Sequence, residues 1–344
     1  MKKLILTVSV VILIALGFAS WKVMGPSVHA PAGRYLYVSS DQDIKSVRDE
    51  LTDQKIIKGA GWFKLVSGWL TYKTVRPGRY EIKEGMSIYN LVRMLRAGNQ
   101  SPAKLVIVKE RTKELFAGKV GKKYDLEMDS SQLITYLTNN DSLRRFGVDT
   151  NTVMAIIMPF TYEVYWNSSP GRIMQQFYTA YEKFWTPARK EKADSLGLSP
   201  LEVSTLASIV EEETTRKKDK YKIASTYLNR LKTGMKLQAD PTVKFVTKNF
   251  QLGRIQGVHL RLESPYNTYL NPGLPPGPIC TPSVESIDAV LDAPKTEYLF
   301  FVASHAFDGT TIFTKNYNDH LKYVALFHAE QKRRADSIKK VNAR

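Results

Sequence analysis

No charged side chain stands between Leu4 and Trp21, and that run is long enough to cross a bilayer as a single helix. A short stretch containing Gly25, Pro26, Pro31 and Gly33 reads as a linker. The period then changes to two: Tyr35, Tyr37 and Ser39 alternate with Leu36 and Val38, which predicts a strand. Asp41-Gln42-Asp43 opens a helix with apolar positions at Ile44, Val47 and Leu51. This succession recurs. Val38, Ile44, Val47 and Leu51 are matched by Ile82, Ile88, Leu91 and Leu95, so two strand-turn-helix units form an internal repeat by apolar spacing.

Further on, Leu105 to Val108 reads as a strand, a helical stretch starts at Thr112, and Gln132 to Leu143 is helical, ending near Phe146-Gly147. Ile173 to Leu196 is helical with a break at Pro187. The best-specified helix runs from Ser199 to about Thr215. Ser199 and Glu202 form a capping box, Pro200 falls at the first helical position, and Val203, Leu206, Ile209 and Val210 make an apolar stripe. Ile223, Tyr227, Leu228 and Leu231 continue as an amphipathic helix that carries Asn229 and Arg230 and ends at Gly234. Leu321 to Arg344 reads as a basic helix with a partial apolar face of Leu321, Val324, Phe327 and His328. Strands and helices mixed in this way predict an α+β protein behind an N-terminal transmembrane helix.

Charge sharpens this picture. Lys2 and Lys3 precede the apolar run, so the start is expected in the cytoplasm and the rest outside it. Gly17-Phe18-Ala19 resembles a small-residue cleavage site, which leaves a cleaved signal peptide as the competing reading; interfacial Trp21 followed by Lys22 favours an uncleaved anchor. The net charge of +17, from 50 Lys and Arg against 33 Asp and Glu, suits an anionic partner such as a cell-wall polymer or a membrane surface. Export and the lack of helix-turn-helix, zinc-finger or RNP patterns argue against nucleic acid. The single cysteine, Cys280, excludes an internal disulfide and a cysteine-rich metal site, and the five histidines have no ligand spacing; no metal or cofactor is expected.

Candidate chemistry centres on Glu211, Glu212 and Glu213. Three acids at a helix C-terminus oppose one another and the backbone dipole, so local stability does not account for them. Glu211 lies one helical row from Ser204, Ala207 and Ser208, small side chains that would let a ligand approach. Its ionisation is expected to be disfavoured, as a general acid requires; a solvated charge run is the plain alternative. Glu163 sits among Phe160, Tyr162, Tyr165 and Trp166, which fits either a carbohydrate groove or a core strand with a surface acid. Gln238 and Asp240 share a side if the chain there is extended, and Pro241 is expected to keep Asp240 out of helical geometry. Tyr266-Asn267-Thr268-Tyr269 precedes a stiff loop, Gly273-Leu274-Pro275-Pro276-Gly277-Pro278-Ile279, of the kind that carries functional groups. Trp62 and Trp69 could stack on sugars, although packing is the commoner use of such residues.

Leu206-Ala207-Ser208-Ile209-Val210-Glu211, Asn229-Arg230-Leu231, Gly234-Met235, Leu237-Gln238, Asp240-Pro241-Thr242-Val243, Tyr266-Asn267-Thr268-Tyr269 and Gly273-Leu274-Pro275-Pro276-Gly277 resemble, in order and spacing, the endolytic murein transglycosylase (MltG or YceG-like) family. Pro77 to Ile88 looks like a LysM-type element, a glycan-binding module. The resemblance implies an anchor over residues 1–24, a linker over 25–33, a LysM-like α+β module over 34–104, a catalytic α+β domain over 105–320 and a basic helix over 321–344. It implies a single-pass enzyme of the bacterial cytoplasmic membrane that cuts nascent peptidoglycan strands internally, between N-acetylmuramic acid and N-acetylglucosamine, and so ends glycan elongation. Peptidoglycan is then the substrate, and peptidoglycan synthases are candidate partners. By motif position Glu211 is the implied acid, with Gln238, Asp240, Asn267, Tyr269 and Asn229 shaping the site and no cofactor required. Thr311 departs from the family, which often has histidine there.

A lytic transglycosylase works with one carboxyl group. Protonated, it donates to the glycosidic oxygen; ionised, it takes the proton of the muramic acid C6 hydroxyl, which closes a 1,6-anhydro ring. Two rivals remain: a two-carboxylate hydrolase with Asp240 or Glu163 as the second acid, and a non-catalytic wall-binding scaffold.

Overall fold

The computed structural model describes residues 1–30, 33–124, 126–253 and 255–342. The elements are, in order, α1 (Lys2–Met24), β1 (Tyr35–Val38), α2 (Ile44–Asp53), α3 (Ala60–Trp69), β2 (Gly78–Glu81), α4 (Ile88–Ala97), β3 (Ala103–Val106), α5 (Lys113–Lys123), α6 (Ser130–Leu137), α7 (Asn140–Leu143), β4 (Thr161–Val164), α8 (Pro170–Phe184), α9 (Pro187–Ser195), α10 (Pro200–Glu213), α11 (Lys217–Lys232), α12 (Asp240–Thr247), α13 (Gly257–Leu260), α14 (Val284–Leu291), β5 (Phe300–Ala303), β6 (Thr311–Thr314) and α15 (Tyr317–Asn342). The chain is thus mixed helix and strand, with an N-terminal helix long and apolar enough to cross a membrane. The strands pair in twos: β1 with β2, β3 with β4 and β5 with β6.

Two compact units divide the chain. The first holds residues 1–105 and is completed by two later segments, 121–129 and 163–169; the second holds 106–120, 130–162 and 170–344. In the first unit β1 and β2 are antiparallel, with Leu36 opposite Tyr80. Both are buried there with Val38, Val47, Leu51, Phe63, Val66, Ile82, Leu91 and Leu95, so the matched positions of the two repeats meet in one core. Each repeat starts its helix with a side-chain cap: Asp43 accepts from the Ser46 amide, and Ser87 from the Asn90 amide. The later segments join this unit through specific contacts. Trp166 packs edge-on against Tyr37 with centroids 5.4 Å apart, and Glu127 accepts from the Ser40 hydroxyl at 3.2 Å. Trp166 is buried and Glu163 exposed, so that stretch is a packed strand carrying a surface acid rather than an aromatic groove.

The second unit is built round α10. Val203 to Val210 are all buried, against α14 on one side and α11 and α12 on others. The capping box at Ser199 and Glu202 is formed, with Pro200 at the first helical position. The stretch 132–143 breaks into α6 and α7 because Asn139 caps a new turn, its side chain accepting from the Ser142 amide. Pro187 divides α8 from α9, where Thr186 supplies the cap. The β5–β6 hairpin packs against the first turns of α15 through Phe300, which lies 5.5 Å from Tyr317 and 5.4 Å from His320.

Candidate active site

Consecutive helical positions point about 100° apart, so three successive glutamates at the end of α10 face three different surroundings. Glu211 turns toward α11 and α14. Its carboxylate accepts from Lys220 Nζ at 3.0 Å and from the Ser283 and Ser286 hydroxyls at 2.5 Å each. Lys220 is itself buried and also meets Glu285 at 3.2 Å. Burial alone would raise the Glu211 pKa, yet the two hydroxyls and the ammonium together hold it below the ordinary carboxylate value. The expectation that Glu211 resists ionisation is therefore not met: a group held ionised by a buried cation is a poor proton donor.

Glu212 points to the segment before α5. Arg111 grips it with a fork of hydrogen bonds, Nη2 at 2.9 Å and Nε at 3.1 Å, and Lys109 adds an ion pair at 3.1 Å.

Among the described residues no cation makes such an ion pair with Glu213. The Tyr227 hydroxyl donates to its Oε1 at 2.5 Å, and its pKa is pushed up to about 7, first by burial and then by the negative charge of Asp240, which outweigh the pull of that hydrogen bond and of Arg230 and Lys244. It nonetheless keeps a partly exposed face. That face lines a cleft of 350 Å³ together with Arg111, Glu212, Asp240, Pro241, Lys244, Phe250, Gly253 and Ile255.

Asp240 enters the cleft from the start of α12. Pro241 stands in the first turn, where proline needs no amide partner, and Asp240 is the first helical residue instead of lying outside the helix; a carboxylate there is stabilised by the dipole. The Tyr269 hydroxyl donates to Asp240 Oδ1 at 2.6 Å. Gln238 is exposed and holds φ +51°, a left-handed conformation costly for a side chain with a Cβ. It is fixed by a hydrogen bond from its amide to the Thr268 carbonyl at 3.1 Å.

Two other expected substrate contacts are used up internally. Asn267 is fully buried: its Nδ2 donates to the Leu260 and Leu262 carbonyls at 3.1 and 2.8 Å, and its Oδ1 accepts from the Tyr269 amide at 3.0 Å. It thereby positions Tyr269. Asn229 Nδ2 donates to the Thr296 and Tyr298 carbonyls at 2.9 and 3.0 Å and ties α11 to the segment leading into β5. Glu163 belongs to the first unit and makes none of the contacts described around Glu213.

The small-residue column of α10 receives protein, not ligand. Ser204, Ala207 and Ser208 are fully buried, and Ser208 Oγ accepts from the Ile279 amide at 2.9 Å, which seats the Pro/Gly loop on the helix. At Gly277 an added Cβ would stand 2.1 Å from the Asn151 carbonyl oxygen, so only glycine allows that close approach. Thr311 donates to Asp219 Oδ2 at 3.0 Å and so tethers β6 to α11.

Pattern reading passed over Tyr227, Lys220, Ser283, Ser286, Lys109 and Arg111. Tyr227 was visible only as one more apolar position of α11, although a phenol on a buried stripe needs a partner for its hydroxyl. Among the described residues no group of three or more His, Cys, Asp or Glu is arranged to hold a metal ion.

The YceG-like family model matches residues 36–326. The chain is 28% identical over 302 residues to the endolytic murein transglycosylase of Bacillus subtilis (strain 168), covering 83% of this chain and 82% of that one. It is 25% identical over 333 residues to the endolytic murein transglycosylase of Streptococcus pneumoniae serotype 2, covering 87% of this chain and 59% of that longer protein. Among solved structures, a YceG-like protein from Listeria monocytogenes superposes with a TM-score of 0.56 at 26% identity, over 84% of this chain and 98% of the other.

Proposed function

The chain belongs to the YceG-like family, and on that footing we propose that it is a lytic transglycosylase of peptidoglycan in which Glu213, not Glu211, is the proton-transferring residue. The observation that carries the assignment is that Glu213, alone among the described residues, combines a cleft-facing carboxyl group, a pKa of about 7 and no ion pair with a described cation. Near neutral pH such a group is present both protonated and ionised, as the two halves of the reaction demand. It first donates a proton to the glycosidic oxygen as the bond from muramic acid C1 breaks. The resulting carboxylate then removes the C6 hydroxyl proton while O6 attacks C1, and the 1,6-anhydro ring closes with no water consumed. Tyr227 orients the carboxyl group by donating to one oxygen. Asp240 keeps the proton on Glu213 by charge and is itself oriented by Tyr269. Lys244 and Arg111 line the same cleft and offer cations to the carboxylates of an anionic glycopeptide.

Asp240 also supports one alternative, because a second carboxylate in the cleft could activate water and make the protein a hydrolase. Product mass separates the two. Digestion of peptidoglycan is expected to leave ends lighter by one water than those of a hydrolase, and hydrated ends would refute the transglycosylase reading. Asp240→Asn is expected to move the alkaline limb of kcat/KM to lower pH, since losing the negative neighbour lets Glu213 ionise sooner; an unshifted limb would remove Asp240 from this role.

We further read α1 as an uncleaved anchor that places the rest outside the cytoplasmic membrane, with Trp21 and Lys22 at its outer boundary. The reading of residues 34–104 as a LysM-like module is supported by a β-α-α-β-α order closed around one core. Internal cleavage of nascent strands beside a synthase is the role this placement serves.

A further inference from the structure

Helix α3 has two unlike faces. Phe63 and Val66 are buried in the core of the first unit, whereas Leu65 is 58% and Trp69 63% exposed. With the partly buried Trp62 these follow the spacing i, i+3, i+7 and form one outward apolar stripe, unusual for a surface that only meets water. Lysines surround it: Lys58 before the helix, Lys64 within it and Lys73 after it, all exposed.

The first turn of α3 lies close to the point where α1 leaves its apolar run. Trp62 and Lys58 line a small cavity shared with Trp21, Lys22 and Ile88. At the other end Trp69 packs on Tyr89 with centroids 5.8 Å apart, and Tyr89 is the chain neighbour of Ile88. Val23, the penultimate residue of α1, is buried in the same core, so this end of α1 is held to the unit. The first turn of α3 therefore sits beside the exit of α1, and its outward apolar stripe starts there.

We propose that α3 is a second membrane contact: it docks on the anionic outer surface of the bilayer that α1 crosses, with Trp62, Leu65 and Trp69 at the level of the headgroups and Lys58, Lys64 and Lys73 paired with lipid phosphates. The proposal rests on the reading of α1 as an anchor. An amphipathic face rich in tryptophan and ringed by lysine is the composition that binds an interface, and the adjacent anchor raises its effective concentration there. Docking at two places would fix the orientation of the first unit on the lipid, which a single spanning helix leaves free to rotate about its own axis.

The test places a nitroxide on Leu65→Cys, or on Leu13→Cys as the anchor control, in the full chain reconstituted in vesicles of phosphatidylcholine with or without phosphatidylglycerol. Cys280 is fully buried and leaves the new cysteine as the labelling site. Collision rates with oxygen and with a water-soluble nickel complex report depth. At residue 65 the nickel collision rate is expected to fall and the oxygen rate to rise when phosphatidylglycerol is included, and Lys58→Glu with Lys64→Glu is expected to erase that response. Residue 13 in lipid with residue 65 freely reached by nickel would overturn the docking and leave the anchor standing. Both residues in water would overturn the anchor and the docking together. A label at 65 shielded from nickel without gaining oxygen would point to a protein partner, also against the proposal.

Discussion

Glu213→Gln is expected to lower kcat for peptidoglycan cleavage by about 10²–10⁴, the range associated with a lost general acid–base group, while the protein folds normally. The amide keeps the shape of the carboxyl group and can still accept from Tyr227. The same substitution is expected to stabilise the fold above neutral pH. Glu213 has a folded pKa of about 7 against an ordinary 4.5, so its contribution to stability is complete below pH 4.5 and is lost as pH rises through 7. Glutamine has no such loss; at pH 8 the variant should exceed the parent by on the order of 2–3 kcal/mol, with the gap closing by pH 4. Urea titrations at the two pH values, run beside the activity assay, measure both effects. A Glu213→Gln protein that cuts peptidoglycan at the parental rate would reject the assignment.

Removing the neighbouring acid should do the reverse. Glu211→Ala leaves Lys220, 6% exposed at its side chain, with Glu285 as its remaining charged neighbour and takes the acceptor from two hydroxyls. Loss of one partner from a buried ion pair costs about 3–5 kcal/mol. The expected result is a large fall in unfolding free energy at pH 7, with the pH at which activity falls off unchanged. Because the folded pKa of Glu211 is depressed, the parent keeps this contribution above pH 4.5 and loses it as pH drops further, so the difference between parent and variant should shrink in acid. Glu211→Ala together with Lys220→Met should recover part of the loss, since no buried charge is then left alone. If Glu211→Ala were as stable as the parent but inactive, the roles given to the two glutamates would have to be exchanged.

The contrast shows where pattern reading stops. The capping box at Ser199 and the break at Pro187 act through neighbours in sequence, so those boundaries could be read from the chain itself. The choice among Glu211, Glu212 and Glu213 depends on Lys220 and Tyr227 of α11 and on Arg111 before α5, two segments remote from each other in sequence, and no local rule ranks three adjacent acids. The family resemblance, taken by motif position, points to Glu211, whereas the partners and burial of the three side chains favour Glu213. Asn267 and Asn229 illustrate a related limit: an asparagine in a motif marks a position that needs an amide, and only its backbone partners reveal that the need is architectural. Asp240 was placed outside its helix because proline disfavours helical geometry in the residue before it, yet the first-turn position and the helix dipole prevail.

The interleaving of the two units bears on how the chain comes to be folded. Residues 121–129 and 163–169 close the first unit, and the 33 residues that run between them, 130–162, belong to the second. During synthesis the N-terminal part therefore stays unfinished until residue 169 has emerged. No single proteolytic nick separates one intact unit from the other.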